Sequence, residues 1–452
     1  MTPESTDTGA STSDSKSSLP IALSMLIAGL ILTALILALI TPLFRPISDD
    51  YCSLVSYAEN GFLGSIWNDW LNWTGALFAA FFYYFFAFLL STLGYSVAYA
   101  VWYLLMLTLL TGSIFYILRP LNSSDSKRRT LFFLGSSLLT ANLFFVFQFG
   151  LVPSGSRIEF ADGYSLLGWI AAGVSQFLPF LIAVLALGLL YRFEQQRSIR
   201  YYVLSLIAIG IVGLTNFLSA AMLAVAIPLI WLLQRDRHIA NLKFFGFPFL
   251  LVLSLALINY LAPGTQARKL VFDSDQGKNL FETASVVGRN ILLVFEGPSV
   301  FPPIVIGLII GIAAKFNSIK GIPNSVKLTA VILIATLIAT MATEVFGAEG
   351  EWHYISLRVA TFLWVLTLAI LAGTYLSESR HSMSIAMIGI TVVTVFGALQ
   401  VFLVSREIAA RTDAWTSGQS AGVHYIADRA TPWVNSCATQ VGLGIDLPLG
   451  DQ

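Results

Sequence analysis

Asp49 and Asp50 stand side by side shortly after a long apolar run ends at Leu43, so that two carboxylates meet where a chain leaves a membrane. Such acids have two uses. Ser48, Asp49 and Asp50 precede Tyr51, Leu54, Val55 and Ala58 with the spacing of an amphipathic helix, whose free N–H groups one carboxylate can cap. A carboxylate can also take the proton of an attacking hydroxyl as a general base. Two acids in succession exceed what a cap needs. Asp69 adds a third in Ile66-Trp67-Asn68-Asp69-Trp70-Leu71-Asn72-Trp73, a second short amphipathic piece whose tryptophans suit a membrane–water interface.

Basic residues supply the complementary chemistry, offsetting negative charge that grows on a leaving phosphate. Arg358 and His353 lie in one late polar segment, and Arg268 and Lys269 form an adjacent pair. Each has a plainer reading: Arg358 begins an apolar run and suits a snorkelling anchor, while the pair suits solvation. Glu344 sits near the end of another apolar run, where a charge is costly unless it faces an internal cavity.

The elements that must position these residues are membrane helices. Of 452 residues 56% are hydrophobic and 11% charged, well below the roughly 25% charged of soluble chains. Residues 1–18 read as a disordered tail, and Leu19–Leu43 as an uncleaved first helix. Further spans are expected near 95–118, 131–149, 166–190, 201–216, 218–233, 244–261, 289–313, 328–346, 356–377 and 383–404. The expected fold is therefore all-α and polytopic, with about eleven spans within 19–404. The uncharged 76–93 is either a twelfth span or an aromatic helix in the outer interface.

Loop charge favours the second. With 76–93 left out as a span, the basic stretches at Arg119 to Arg129, Arg192 to Arg200, Arg235 to Lys243 and Lys315 to Lys327 all fall on the cytoplasmic side. The N-terminus is then cytoplasmic and the 405–452 tail outside. The long segments, 44–94 first among them, also lie outside and carry most of the acids, so the working surface is expected there. Within the spans, Asn142, Gln148 and Gln176 read as interhelical glue, and Asn216 as a residue satisfying the backbone of a tight turn.

The order of first helix, acidic pair, surface helices and aromatic helix resembles the GT-C superfold of membrane glycosyltransferases. The residues that carry the likeness are Asp49-Asp50-Tyr51-Cys52, Glu59-Asn60-Gly61-Phe62 and Asn72-Trp73-Thr74-Gly75 in the first outer loop. Asn259-Tyr260-Leu261-Ala262-Pro263-Gly264 and the late segment Glu351 to Arg358 add to it. The nearest likeness is to a bacterial branch whose first loop opens with Asp-Asp-aromatic. Ala76 follows Gly75 where that branch often has arginine, so that arginine's role is unfilled.

The resemblance implies transfer of a sugar from a polyprenyl-phosphate carrier to a glycan, lipid or protein acceptor on the outer face of a bacterial inner membrane. Asp49 or Asp50 would be the base, with Asp69 and Glu344 as further site acids. Arg358, His353, Arg268 and Lys269 would hold the donor phosphate. Asp49, Asp50 and Glu344 could share a divalent cation, which some members of the superfold require. Membrane lipids are expected partners; nucleic acid is not.

Two other classes stay open. A transporter or flippase would be expected to carry internal repeats and mid-membrane charges, and no repeat is evident. A lipid-linked glycan polymerase or ligase would work chiefly through outer basic residues, whereas here the outer acids dominate. No Walker-type loop, dinucleotide fingerprint or Cys-x-x-Cys spacing is present. Cys52 and Cys437 are the chain's two cysteines, both expected outside, where they either bridge or stay as separate thiols.

Overall fold

The computed structural model describes residues 18–39, 41–44, 49–118, 127–148, 151–154, 157–160, 170, 173–233 and 242–272, with residue 285 and isolated positions within 328–339 and 399–410. The described chain is almost entirely helical: α1 Ser18–Leu39, α2 Asp49–Asn72, α3 Leu77–Leu93, α4 Tyr95–Leu118, α5 Lys127–Gln148, α6 Leu178–Gln196, α7 Ile199–Gly213, α8 Phe217–Leu233, α9 Leu242–Leu261 and α10 Pro263–Phe272. A short hairpin of β1 Leu151–Ser154 and β2 Arg157–Phe160, with Leu151 opposite Phe160 and Ser154 opposite Arg157, is a small addition to a fold consistent with the all-α expectation.

Among the described residues, four stretches are long and apolar enough to cross a membrane: Leu26–Leu43, Tyr95–Ile117, Gly173–Gln196 and Leu242–Leu261. The expected spans at 289–313 and 356–377 lie outside the described residues, and those at 328–346 and 383–404 are described only in part. Helix α3 is 17 residues long, α7 15 and α8 17, about 22–25 Å at 1.5 Å per residue, so that α3 and the spans expected at 201–216 and 218–233 alike fall short of a hydrocarbon core about 30 Å thick.

Packing follows the sequence's apolar faces. α1 lies along α5, where a Cβ on Gly29 would sit 3.0 Å from Leu138. Asn142 of α5 ties three helices: its Nδ2 donates to the Gly29 carbonyl at 3.3 Å and to Thr33 Oγ1 at 3.1 Å, and Tyr103 Oη donates to its Oδ1 at 2.7 Å. A buried polar side chain fully engaged in this way is interhelical glue, as its position suggests. Asn216 does more than satisfy a turn. Its Oδ1 accepts the Ser219 N–H at 3.0 Å, capping α8, while its Nδ2 donates to the Ser175 carbonyl at 2.7 Å and to Gln176 Oε1 at 3.2 Å.

The span expected at 166–190 is corrected at its C-terminal end. A π-turn at Gly173–Phe177 leads into α6, which runs on to Gln196. Arg192 and Glu194, expected in an inner loop, are therefore helical and buried. The Arg192 guanidinium lies 5.8 Å from the centre of the Tyr116 ring, a contact that lets a charged residue stay within the helix.

Candidate functional site

α2 begins at Asp49, and its regular turns are interrupted at Gly61, where φ is 67° and ψ 180°. Glycine alone adopts this conformation readily. Ser65 Oγ donates to the Ser56 carbonyl at 2.8 Å across nine residues, a separation of about 13 Å along a straight helix. The two limbs of α2 therefore fold back on each other, in keeping with the two short amphipathic pieces of the sequence.

The first limb starts with Asp50, which is fully buried. Its Oδ2 accepts the Tyr99 hydroxyl of α4 at 3.5 Å and the Ile170 backbone N–H at 3.4 Å, both long hydrogen bonds. Phe44, just after α1, packs on the Tyr99 ring at 5.2 Å between centroids. Asp50 thus reaches two other segments rather than serving its own helix alone. Asp49 is the first residue of α2; its side chain lies outside the described atoms.

The second limb carries Asp69. Its carboxyl is hydrogen-bonded to the Tyr84 hydroxyl of α3, and burial pushes it from 3.8 up to about 6 despite that bond, which acts the other way. Tyr84 Oη lies 3.3 Å from Ser56 Oγ, so the polar chain runs from the first limb through α3 to the second. The Asp69 carbonyl accepts the N–H groups of Trp73 at 2.9 Å and Thr74 at 2.8 Å. These bonds fix both ends of the residue.

The loop after Asp69 meets the α9–α10 junction. Gly75 N–H donates to Thr265 Oγ1 at 2.9 Å, and that hydroxyl donates to the Asn259 carbonyl at 2.8 Å. A Cβ on Gly75 would collide with the Asn259 carbonyl and the Thr265 hydroxyl. From the other side, a Cβ on Gly264 would lie 2.6 Å from the Asp69 carbonyl oxygen and 2.7 Å from that of Trp70. Asn72-Trp73-Thr74-Gly75 and Asn259 to Gly264, far apart in the chain, form one joint, with glycine on each side because the backbones touch.

The donor-phosphate candidates are reached only in part. Arg268 and Lys269 belong to α10, on whose side chains at those positions nothing is described. Glu344, His353, Arg358 and Cys437 lie outside the described residues. Cys52, on the first limb of α2, is disulfide-bonded. Among the described residues, no three His, Cys, Asp or Glu side chains gather in a way that could hold a metal ion.

Tyr84, Tyr99 and Thr265 complete the site and were not singled out by sequence. Tyr84 is hidden in an uncharged aromatic run; a hydroxyl among phenylalanines was the available signal. No family model matches the chain, and neither the curated proteins nor the solved structures contain a match.

Proposed function

We propose that the chain is an integral membrane glycosyltransferase that moves a sugar from a polyprenyl-phosphate carrier to an acceptor hydroxyl on the outer face, with an aspartate of α2 as general base. The observation that carries this reading is the joint between Thr74-Gly75 and Asn259 to Thr265, which brings two of the motifs behind the resemblance against the α2 limb bearing Asp69. Conserving proton and charge balance requires a base for the acceptor and positive charge for the leaving phosphate. Asp49, Asp50 and Asp69 are candidates for the first; Arg358, His353, Arg268 and Lys269 for the second. In this reading the second limb of α2 rests on the outer leaflet, with lipid against its apolar side.

The deciding experiment is transfer by the purified, lipid-embedded protein from defined polyprenyl-phosphate sugars to a panel of hydroxyl acceptors. Sugar transfer with release of polyprenyl phosphate is the expected result. Movement of the intact lipid-linked sugar across the bilayer without transfer would replace this reading with a flippase, and extension of a lipid-linked glycan would replace it with a polymerase.

A further inference from the structure

The aspartates of α2 whose side chains are described differ in what they can do. Asp50 has no exposed surface, and its Oδ2 is turned toward Tyr99 and the Ile170 N–H. Asp69 keeps part of its surface open. Its main chain is held by Trp73 and Thr74, and the tip of α10 presses on it at Gly264. A base must be both reachable and fixed in place, and Asp69 meets both conditions.

We propose that Asp69, held by Tyr84 at the seam between α2 and α3, is the group that takes the acceptor's proton; this role rests on the glycosyl-transfer reading. In the step, the acceptor oxygen forms a bond to the anomeric carbon while the bond from that carbon to the phosphate oxygen breaks. The breaking bond's electron pair leaves on polyprenyl phosphate, and the hydroxyl proton passes to an Asp69 carboxylate oxygen. Tyr84 is a positioning residue: its hydroxyl is hydrogen-bonded to the Asp69 carboxyl and limits where that carboxyl can lie. The titratable group set against Asp69 on α3 is Tyr84; α10, packed on the same end of α2, carries Arg268 and Lys269. Burial places the carboxyl near 6, close to the pH at which a base works best.

The test uses the full chain in lipid nanodiscs with a polyprenyl-phosphate sugar that the wild-type protein consumes. Asp69→Asn is expected to lower kcat by about 10²- to 10⁴-fold with donor binding retained. Tyr84→Phe removes a hydrogen bond that favours the ionised carboxyl, so the acid limb of its pH–rate profile is expected to move to higher pH. A purely structural Tyr84 would change folded yield and leave that limb in place. Wild-type turnover in Asp69→Asn overturns the assignment while glycosyl transfer stands. An unmoved acid limb in Tyr84→Phe overturns it also where Asp69→Asn fails to fold. Absence of transfer by the wild-type protein from every such donor overturns the underlying reading, and this role with it.

Discussion

The backbone N–H of Gly75 donates to the Thr265 hydroxyl at 2.9 Å across 190 residues of chain. Thr265 passes the contact on to the Asn259 carbonyl, so one side chain joins the loop between α2 and α3 to the C-terminal end of α9. Both sides of the joint are backbone, which leaves no room for a side chain at Gly75 or Gly264.

Alanine at either glycine should therefore open the joint. Overpacking of this kind costs about 1–3 kcal/mol, and more where the obstructing atom is a carbonyl rather than a flexible side chain. Thr265→Val keeps the shape and removes the hydroxyl, at about 1 kcal/mol. Unfolding midpoints of the purified variants should rank Gly75→Ala and Gly264→Ala below Thr265→Val. A wild-type midpoint in both alanine variants would show that the joint does not form.

Asp69 should make stability depend on pH in a defined direction. Its folded carboxyl titrates near 6 against an ordinary 3.8, so the folded chain holds this proton more tightly than the unfolded chain. The stabilisation is complete below the lower value and is lost as pH rises through the upper one. Asp69→Asn keeps an oxygen for Tyr84 and carries no charge. Near neutral pH it should stabilise the protein by about 1–2 kcal/mol after allowance for solvent screening, and the gain should vanish toward pH 4. An equal effect at both pH values would mean that the shift is absent. A gain in stability with a loss of turnover is the pattern of a group kept for function.

What the sequence conveys here follows the range of each interaction. Apolar periodicity is local, and the helix expected at 95–118 is found at Tyr95–Leu118. Asn142 inside an apolar run has few alternatives to bonding a neighbouring helix, and it does so. The division of α2 into two limbs is legible in part, because the sequence shows two short amphipathic pieces; its place at Gly61 is given by the structure. The Gly75–Thr265 joint is not legible, since a pairing across distant residues leaves no periodic trace and each motif reads alone as a loop. Arg192 and Glu194 misled for a different reason. The basic stretch from Arg192 reads as a loop, whereas α6 continues through it and the Arg192 guanidinium lies 5.8 Å from the centre of the Tyr116 ring.

Cys52 is disulfide-bonded, and Cys437 is the other cysteine of the chain. A bridge between them would add little through chain entropy, because that contribution grows only with the logarithm of loop length. Its effect is positional, pinning the C-terminal tail to the first limb of α2, two residues after Asp50. Non-reducing mass spectrometry of the native protein should recover one peptide pair containing both cysteines. Recovery of both as alkylated thiols after rapid quenching would dissolve the tether.

The second limb of α2 has three sides when its residues are placed at 100° intervals. Ser65, Ile66 and Asp69 face inward toward the first limb and α3. Asn68 and Asn72 are exposed and bonded to each other at 2.8 Å. Leu63, Trp67 and Leu71 form an exposed apolar stripe, 76%, 62% and 38% accessible. In water such a stripe is unfavourable; at a bilayer surface it is an anchor, and tryptophan is the residue most at home there. Leu257, Ile258 and Leu261 are likewise exposed at the end of α9, itself long and apolar enough to span. Spin labels on cysteines introduced at Leu63 and Leu71 should therefore be relaxed by oxygen, which concentrates in lipid. Labels at Asn68 and Asn72 should respond instead to a water-soluble nickel complex. If the Leu63 and Leu71 labels respond to nickel, the limb stands clear of the membrane. If they respond to neither reagent, protein covers the stripe, from the chain's own tail or from a second copy, and the lipid assignment fails.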